Sequence, residues 1–221
     1  MWVSRLDLKG DAMKNSIVPM LAFCLVLAGC SGQSEQPVAV EQPDVAAEWI
    51  RVTPTEMTET QKAQQELCVA AVNAMAAETL GEMEAAMETG DPAQGIAVCR
   101  EKAPMIAASI SEHFGIKIGR TAFYLRNPDN APPEWANELV LARSGEPAFL
   151  VGPGGELGAL LPIRLKAECQ MCHGPAELID ADVQAAIDEH YPDDQAVGFA
   201  EGALRGWFWA ETPPGEQETS F

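Results

Sequence analysis

The sequence predicts an α+β domain in which a long N-terminal helical hairpin packs against an antiparallel sheet. Two long segments rich in helix formers carry apolar residues at three- and four-residue intervals. Short β-forming segments follow, separated by turns and short helices. The 221 residues suit one domain with tails, and the 47% apolar content is enough to bury a core.

The N-terminal segment predicts export. The uncharged run Ile17–Gly29 spans 13 residues, too few to cross a bilayer but suited to the core of a signal peptide over residues 1–29. Lys14 supplies the positive flank, and the acids upstream of it suggest that translation starts at Met13.

A cysteine follows the apolar run at once. The tetrapeptide Leu27-Ala28-Gly29-Cys30 resembles a bacterial lipobox, which implies cleavage before Cys30 and lipidation of its sulfur. Ordinary signal cleavage nearby is the alternative. Lipidation would anchor the protein on the periplasmic side of the envelope, with Ser31 compatible with the outer membrane. Residues 30–56, rich in Gln, Glu, Pro and Ser, predict a flexible tether.

The domain itself is expected over residues 57–212, with 213–221 as a C-terminal tail. The first helix is predicted from Thr58 to Thr89, ended by Gly90. A capping box of Asp91 and Gln94, with Pro92 in the first turn, should start the second helix. Pro104 should kink that helix because it lacks a backbone donor.

The remaining elements are mostly β. Gly115–Arg126 predicts a strand and is followed by a proline- and asparagine-rich turn. A short helix is expected over Pro133–Arg143. A hairpin should join Pro147–Val151 to Glu156–Leu165. A helix is predicted over Asp180–His190, and a last strand over Arg205–Ala210.

The charge balance excludes some function classes. The chain has 14 basic and 33 acidic residues, a net charge of −19. A phosphate backbone would be repelled, so binding to nucleic acid is not expected. Adhesion to anionic lipid through charge alone is disfavoured for the same reason.

The most informative motif is Cys169-Gln170-Met171-Cys172-His173, a C-x-x-C-H pentapeptide typical of covalent haem c attachment. Thiols three positions apart can reach both vinyl groups on one porphyrin edge, and the adjacent imidazole then supplies the proximal iron ligand. A redox-active cysteine pair, a zinc site and a disulfide fit less well, because the βαβ setting and further metal ligands are missing and the disulfide would be strained. One motif predicts one haem.

The sixth iron ligand stays open at this stage. The candidates are Cys68, Cys99, His113, His190 and the methionines. For Cys99 the residues alone allow three readings: an iron ligand, a small buried core residue, or a disulfide with Cys68, which an oxidising compartment permits.

Two arginines are candidate partners of the haem propionates. Arg120 and Arg126 flank the predicted strand and its turn, and their planar guanidinium groups match carboxylates well. Pairing with nearby acidic side chains is the alternative for both.

The chain resembles the single-haem c domains with a PAS-like fold, which occur as periplasmic proteins and as sensor domains of bacterial kinases. The resemblance covers Thr58 to Ala210. It rests on the haem motif and on Ala97-Val98-Cys99-Arg100 with Ala103-Pro104, Gly119-Arg120, Arg126-Asn127-Pro128-Asp129-Asn130, Tyr191-Pro192-Asp193-Asp194 with Gly198, and Arg205-Gly206.

The resemblance implies a five-stranded antiparallel sheet behind a helical hairpin. It also implies that the Cys99 thiolate binds iron opposite His173. The expected function is then a haem-based sensor of redox state or of a small gas ligand, without enzymatic output, which signals to an envelope partner. Electron transfer to such a partner is the alternative, and a peroxidase fits less well because Cys99 would block the iron.

Overall fold

The computed structural model describes residues 48–89, 91 and 93–215. The predicted signal peptide, the Cys30 lipidation site, Gly90, Pro92 and residues 216–221 lie outside this part of the chain. No helix among the described residues is long and apolar enough to cross a membrane.

The first arm of the helical hairpin is α1, Glu59–Met87. Thr58 starts it with a capping box: its hydroxyl accepts from the Gln61 N–H, and the Gln61 side chain accepts from the Thr58 N–H. The buried residues Cys68, Val72, Met75 and Thr79 recur at helical spacing, so the predicted apolar stripe is confirmed.

The second arm contains three consecutive segments. They are α2 (Gln94–Ala97), a π-helical turn (Val98–Lys102) and α3 (Ala103–Phe114). The predicted kink at Pro104 is replaced by this π turn, in which the Ala103 N–H bonds to the Val98 carbonyl. A proline cannot donate to the carbonyl four residues earlier, and the widened turn absorbs the change just before it. The predicted capping box also differs, since the Gln94 side chain donates to the Asp91 carboxylate rather than accepting from its backbone.

Five strands form one antiparallel sheet in the order β1-β3-β4-β5-β2, as predicted for an α+β fold. Their bounds are β1 Ile50–Val52, β2 Lys117–Thr121, β3 Ala148–Val151, β4 Leu157–Arg164 and β5 Leu204–Glu211. Two further helices of the predicted set are present, α4 (Asn137–Leu141) and α6 (Ala181–His190), and α5 (Gln170–His173) carries the motif.

The tether prediction is wrong in one part. Residues 50–52, assigned from sequence to the flexible tether 30–56, form the edge strand β1 and pair with β3. The three-residue strand is too short to show an alternating pattern, which explains why composition dominated the prediction. The predicted strand Gly115–Arg126 is also shorter, because only Lys117–Thr121 pair with β5.

The two sheet faces bury different layers. One face packs against α1 and α3, through residues that include Met75, Ile110, Leu157 and Ala159. The opposite face packs against α4 and contains the fully buried Trp207. A third cluster joins α2, α5 and α6 through Ile96, Cys172, Val183, Ile187 and Tyr191, and it holds the cysteine motif against the second helical arm.

Close packing of β5 against β2 depends on Gly206. A Cβ added there would overlap the Thr121 carbonyl oxygen. We expect Gly206→Ala to lower the free energy of unfolding by about 1–3 kcal/mol, because backbone atoms must shift. Gly81→Ala is the matched control: it lies on the exposed side of α1 with open space around its Cβ, and should raise stability by up to about 1 kcal/mol. Urea unfolding of both variants measures these effects. Equal unfolding midpoints for the two variants would contradict the role given to Gly206.

Candidate functional site

A cavity lies between the helical hairpin, the sheet and the cysteine motif. It has a volume of about 830 Å³, within the range of small-molecule and cofactor sites. It is lined by Met83 and Met87 of α1, by Cys99 of the π turn, by Arg120 and Phe208 of the sheet, and by Cys169, Cys172 and His173. We call it the central cavity.

A smaller arginine pocket of about 190 Å³ adjoins it and shares Cys99, Cys169 and His173. Four arginines line this pocket and none of its lining residues is acidic: Arg120, Arg126, Arg164 and Arg205. In a chain with only 14 basic residues, this concentration predicts binding of an anionic group.

The structure therefore brings together all six residues that the sequence analysis assigned to a cofactor site. Cys169 ends a 3₁₀ turn (Ala167–Cys169), and Cys172 and His173 belong to the single turn α5, which Gly174 ends. Cys99 reaches the same cavity from the second helical arm, and Arg120 and Arg126 reach it from β2 and the loop after it.

His173 is held in one tautomer by the backbone. Its Nδ1–H donates to the Ala196 carbonyl at 2.7 Å, which leaves Nε2 with a free lone pair. Arg205 Nε lies 3.4 Å from the same Nδ1, but a protonated Nδ1 that donates to Ala196 cannot accept a hydrogen bond from it. Burial, and then the positive charges of Arg126 and Arg205, lower the pKa of His173 well below its usual range. The imidazole is therefore neutral and suited to bind a metal.

Arg126 does not face the cavity as a free cation. It forms a two-point ion pair with Asp194, with Nε–Oδ1 and Nη2–Oδ2 distances of 3.2 and 3.0 Å, and both side chains are more than nine-tenths buried. Its Nη2 also donates to the Cys172 carbonyl at 2.6 Å. The alternative of pairing with a nearby acid is thus correct for Arg126, although its buried Nη1 has no partner among the described residues.

Arg120 keeps its guanidinium group available. It lines the arginine pocket on the same sheet face as Phe208, its neighbour across the β2–β5 pair. No hydrogen bond or ion pair joins its side chain to the described part of the chain. It therefore fits the predicted role of an anion partner better than Arg126 does.

Arg205 is a site residue that the sequence analysis did not assign. Its Nη1 donates to the Tyr124 carbonyl at 3.2 Å, and its guanidinium lies over the Phe199 ring. Burial, and then repulsion from Arg126, lower its pKa to about 10, so it stays cationic at neutral pH. Its only signal in the sequence was the Arg205-Gly206 pair within the family resemblance.

Cys68 is separated from the site. It is fully buried in the core between α1 and the sheet, and burial raises the pKa of its thiol to about 12. The α1 residue that contacts Cys99 is Met83, which lies 15 residues and about 22 Å further along the helix than Cys68. A disulfide needs Cα atoms within about 7 Å. The Cys68–Cys99 disulfide considered above is therefore excluded, and both thiols are free.

The two histidine candidates for the sixth iron ligand, His190 and His113, lie elsewhere. His190 accepts a hydrogen bond from Arg100 at 2.7 Å, and His113 is exposed beside Phe114 at the end of α3. Neither lines the central cavity. Among the described residues, no three His, Cys, Asp or Glu side chains come together as a metal site.

The fold and the site define a domain with a deep cavity, a cysteine motif and a cluster of arginines. A model of the Tll0287-like family matches residues 40–213, and the chain belongs to that family. The crystal structure of the cyanobacterial heme-protein Tll0287 matches with 27% sequence identity and a TM-score of 0.45, covering 64% of this chain and 98% of that chain. No curated protein matches the sequence.

The buried Arg126–Asp194 pair should contribute strongly to the stability of the domain and of the cysteine motif that it contacts. Asp194→Asn leaves the buried Arg126 charge uncompensated and should lower the free energy of unfolding by about 3–5 kcal/mol. Glu168→Gln is the matched control, since its pair with Lys166 is more than half exposed at 3.7 Å and should change stability by less than about 1 kcal/mol. Urea unfolding measures both, and a small effect of Asp194→Asn would contradict the assignment.

Proposed function

We propose that this chain binds one haem c covalently in the central cavity and acts as a sensor of redox state or of a small gas ligand in the bacterial envelope. One observation carries the proposal: the same cavity is lined by both motif cysteines, His173, Cys99 and Arg120. Family membership supports it, because the protein for which the family is named is a heme-protein.

The motif residues suit the roles of attachment and proximal ligation. Addition of each S–H across a porphyrin vinyl group forms a thioether without loss of an atom, and Cys169 and Cys172 both line the cavity where a vinyl edge would lie. His173 would offer Nε2 to the iron, with its ring fixed by Ala196. When bound, the haem would supply the redox-active iron, and this chain would supply both axial ligands.

The charges of the arginine pocket match the two propionates of a haem. Asp194 neutralises Arg126, which leaves Arg120, Arg164 and Arg205 as the arginines of the pocket that have no carboxylate partner among the described residues. Two propionate groups carry two negative charges, so their burial there is compensated. The unpartnered Nη1 of Arg126 provides a further donor.

Cys99 is the proposed distal ligand. His173 and Cys99 are the two side chains that would hold the iron from the protein side when the haem is bound. An anionic thiolate stabilises ferric iron, and reduction weakens that bond. Redox state would then control whether carbon monoxide or nitric oxide reaches the iron, which favours a sensor over a simple carrier.

Envelope location belongs to the same proposal. Haem c attachment takes place outside the cytoplasm, and the predicted signal peptide and Cys30 lipidation would take the chain there. The alternative function, electron transfer, requires a coordination that stays constant on reduction, which spectra of the two oxidation states distinguish.

Covalent attachment is tested by extraction. Acid–acetone should leave the chromophore on the wild-type protein, because thioether bonds survive the treatment. Replacing Cys169 and Cys172 by serine should give a colourless or extractable product. Extractable haem in the wild type would refute the attachment.

The distal ligand is tested with two matched cysteine variants. The ferric wild type should be low-spin with thiolate character in absorption and EPR spectra. Cys99→Ala should change that spectrum, to high-spin or to another sixth ligand, whereas Cys68→Ala should leave it unchanged because Cys68 lies in the core. The reverse pattern would contradict the assignment of Cys99.

A further inference from the structure

Two sulfur atoms lie side by side where the helical hairpin lines the central cavity. Cys99 Sγ is 3.8 Å from Met83 Sδ, and the two residues belong to opposite arms of the helical hairpin. We propose that Met83 is a second distal ligand, which replaces Cys99 when the haem iron is reduced. The inference rests on the haem proposal above and adds a ligand exchange that regulates the same site.

Met83 has room to move toward the iron. It is half-buried and lines the cavity, and its methyl carbon faces Gly95 of α2. A Cβ at Gly95 would lie only 3.2 Å from that methyl carbon, so the absent side chain leaves the thioether space. Methionine has three rotatable side-chain bonds. Rotation about them can cover the short distance between the two sulfurs without displacement of α1.

The backbone that carries Cys99 is less constrained than the backbone that carries Met83. Cys99 lies in the π turn Val98–Lys102, and Pro104 cannot donate to the Arg100 carbonyl as an α-helix would require. Met83 lies within the 29-residue helix α1. Such π turns are rare in proteins overall, and those that occur are often found at functional sites. Withdrawal of Cys99 therefore disturbs fewer hydrogen bonds than displacement of Met83's helix would.

The two sulfur ligands suit different oxidation states. An anionic thiolate stabilises Fe(III), whereas a neutral thioether stabilises Fe(II) and raises the reduction potential. One electron from dithionite or a reduced partner converts Fe(III) to Fe(II). The iron–Cys99 bond breaks, its electron pair stays on that sulfur, which takes one proton from water, and a lone pair of Met83 Sδ forms the new bond.

A buried hydroxyl is available to the cysteine that has left the iron. Thr79 lies one helical turn before Met83 on the same face of α1 and lines the same cavity. Its Oγ1 is buried and has no hydrogen-bond partner among the described residues. A buried polar atom without a partner lowers the stability of the fold. The Cys99 sulfur lines the same cavity, so its thiol is the proposed partner of the Thr79 hydroxyl in the reduced state.

The test compares Met83→Leu with Met87→Leu in the haem-loaded protein. Leucine conserves volume but cannot ligate iron, and Met87 lies one turn further along α1 and also lines the cavity. All three proteins are reduced with dithionite. The ferrous iron of the wild type and of Met87→Leu should then be six-coordinate and low-spin, whereas that of Met83→Leu should be high-spin. Carbon monoxide should bind Met83→Leu at least about tenfold more tightly, because no internal ligand competes.

The oxidised state gives the second readout. Met83→Leu should keep the ferric wild-type spectrum, and Cys99→Ala should keep the ferrous one, since each variant removes the ligand of only one state. An unchanged ferrous spectrum and carbon monoxide affinity in Met83→Leu would overturn the exchange while leaving the haem proposal intact. A ferric spectrum that Cys99→Ala does not alter would instead refute the distal ligand of the proposed function.

Discussion

The buried ion pair between Arg126 and Asp194 is the interaction on which the arrangement of the site depends. Arg126 also donates to the Cys172 carbonyl, and Asp194 accepts from the Ala196 N–H at 2.9 Å. The Ala196 carbonyl in turn holds the His173 ring. One guanidinium thus links the loop after β2, the cysteine motif and the segment after α6. Because both charges are buried, loss of either partner would leave the other uncompensated.

The two helical arms supply the opposite wall of the cavity. The core beside the sheet holds Cys68 and Met75 rigidly, whereas the far end of α1 is only half-buried and places Met83 at the cavity. The π turn in the second arm brings Cys99 to the same point. The same hairpin therefore combines a well-packed half, which stabilises the fold, with a less densely covered half that brings two sulfur atoms to the cavity.

Electrostatics distinguish this region from the rest of a strongly acidic chain. Burial, and then the positive charges of Arg126 and Arg120, lower the pKa of both Arg205 and His173. Mutual repulsion of buried cations destabilises the domain unless an anion compensates it. An anionic ligand bound there would therefore stabilise the fold as well as occupy the site.

Local signals in the sequence predicted the apolar stripe of α1, the β3–β4 hairpin and the helix α6, and they revealed the cysteine motif. These depend on residues a few positions apart. The tertiary structure decided what distant segments do together. It paired Arg126 with the Asp194 carboxylate, 68 residues away, and placed Arg205 and Met83 at the site. It also formed an edge strand from residues 50–52 and separated Cys68 from Cys99. Such contacts depend on how the chain crosses itself in three dimensions, which no local periodicity encodes.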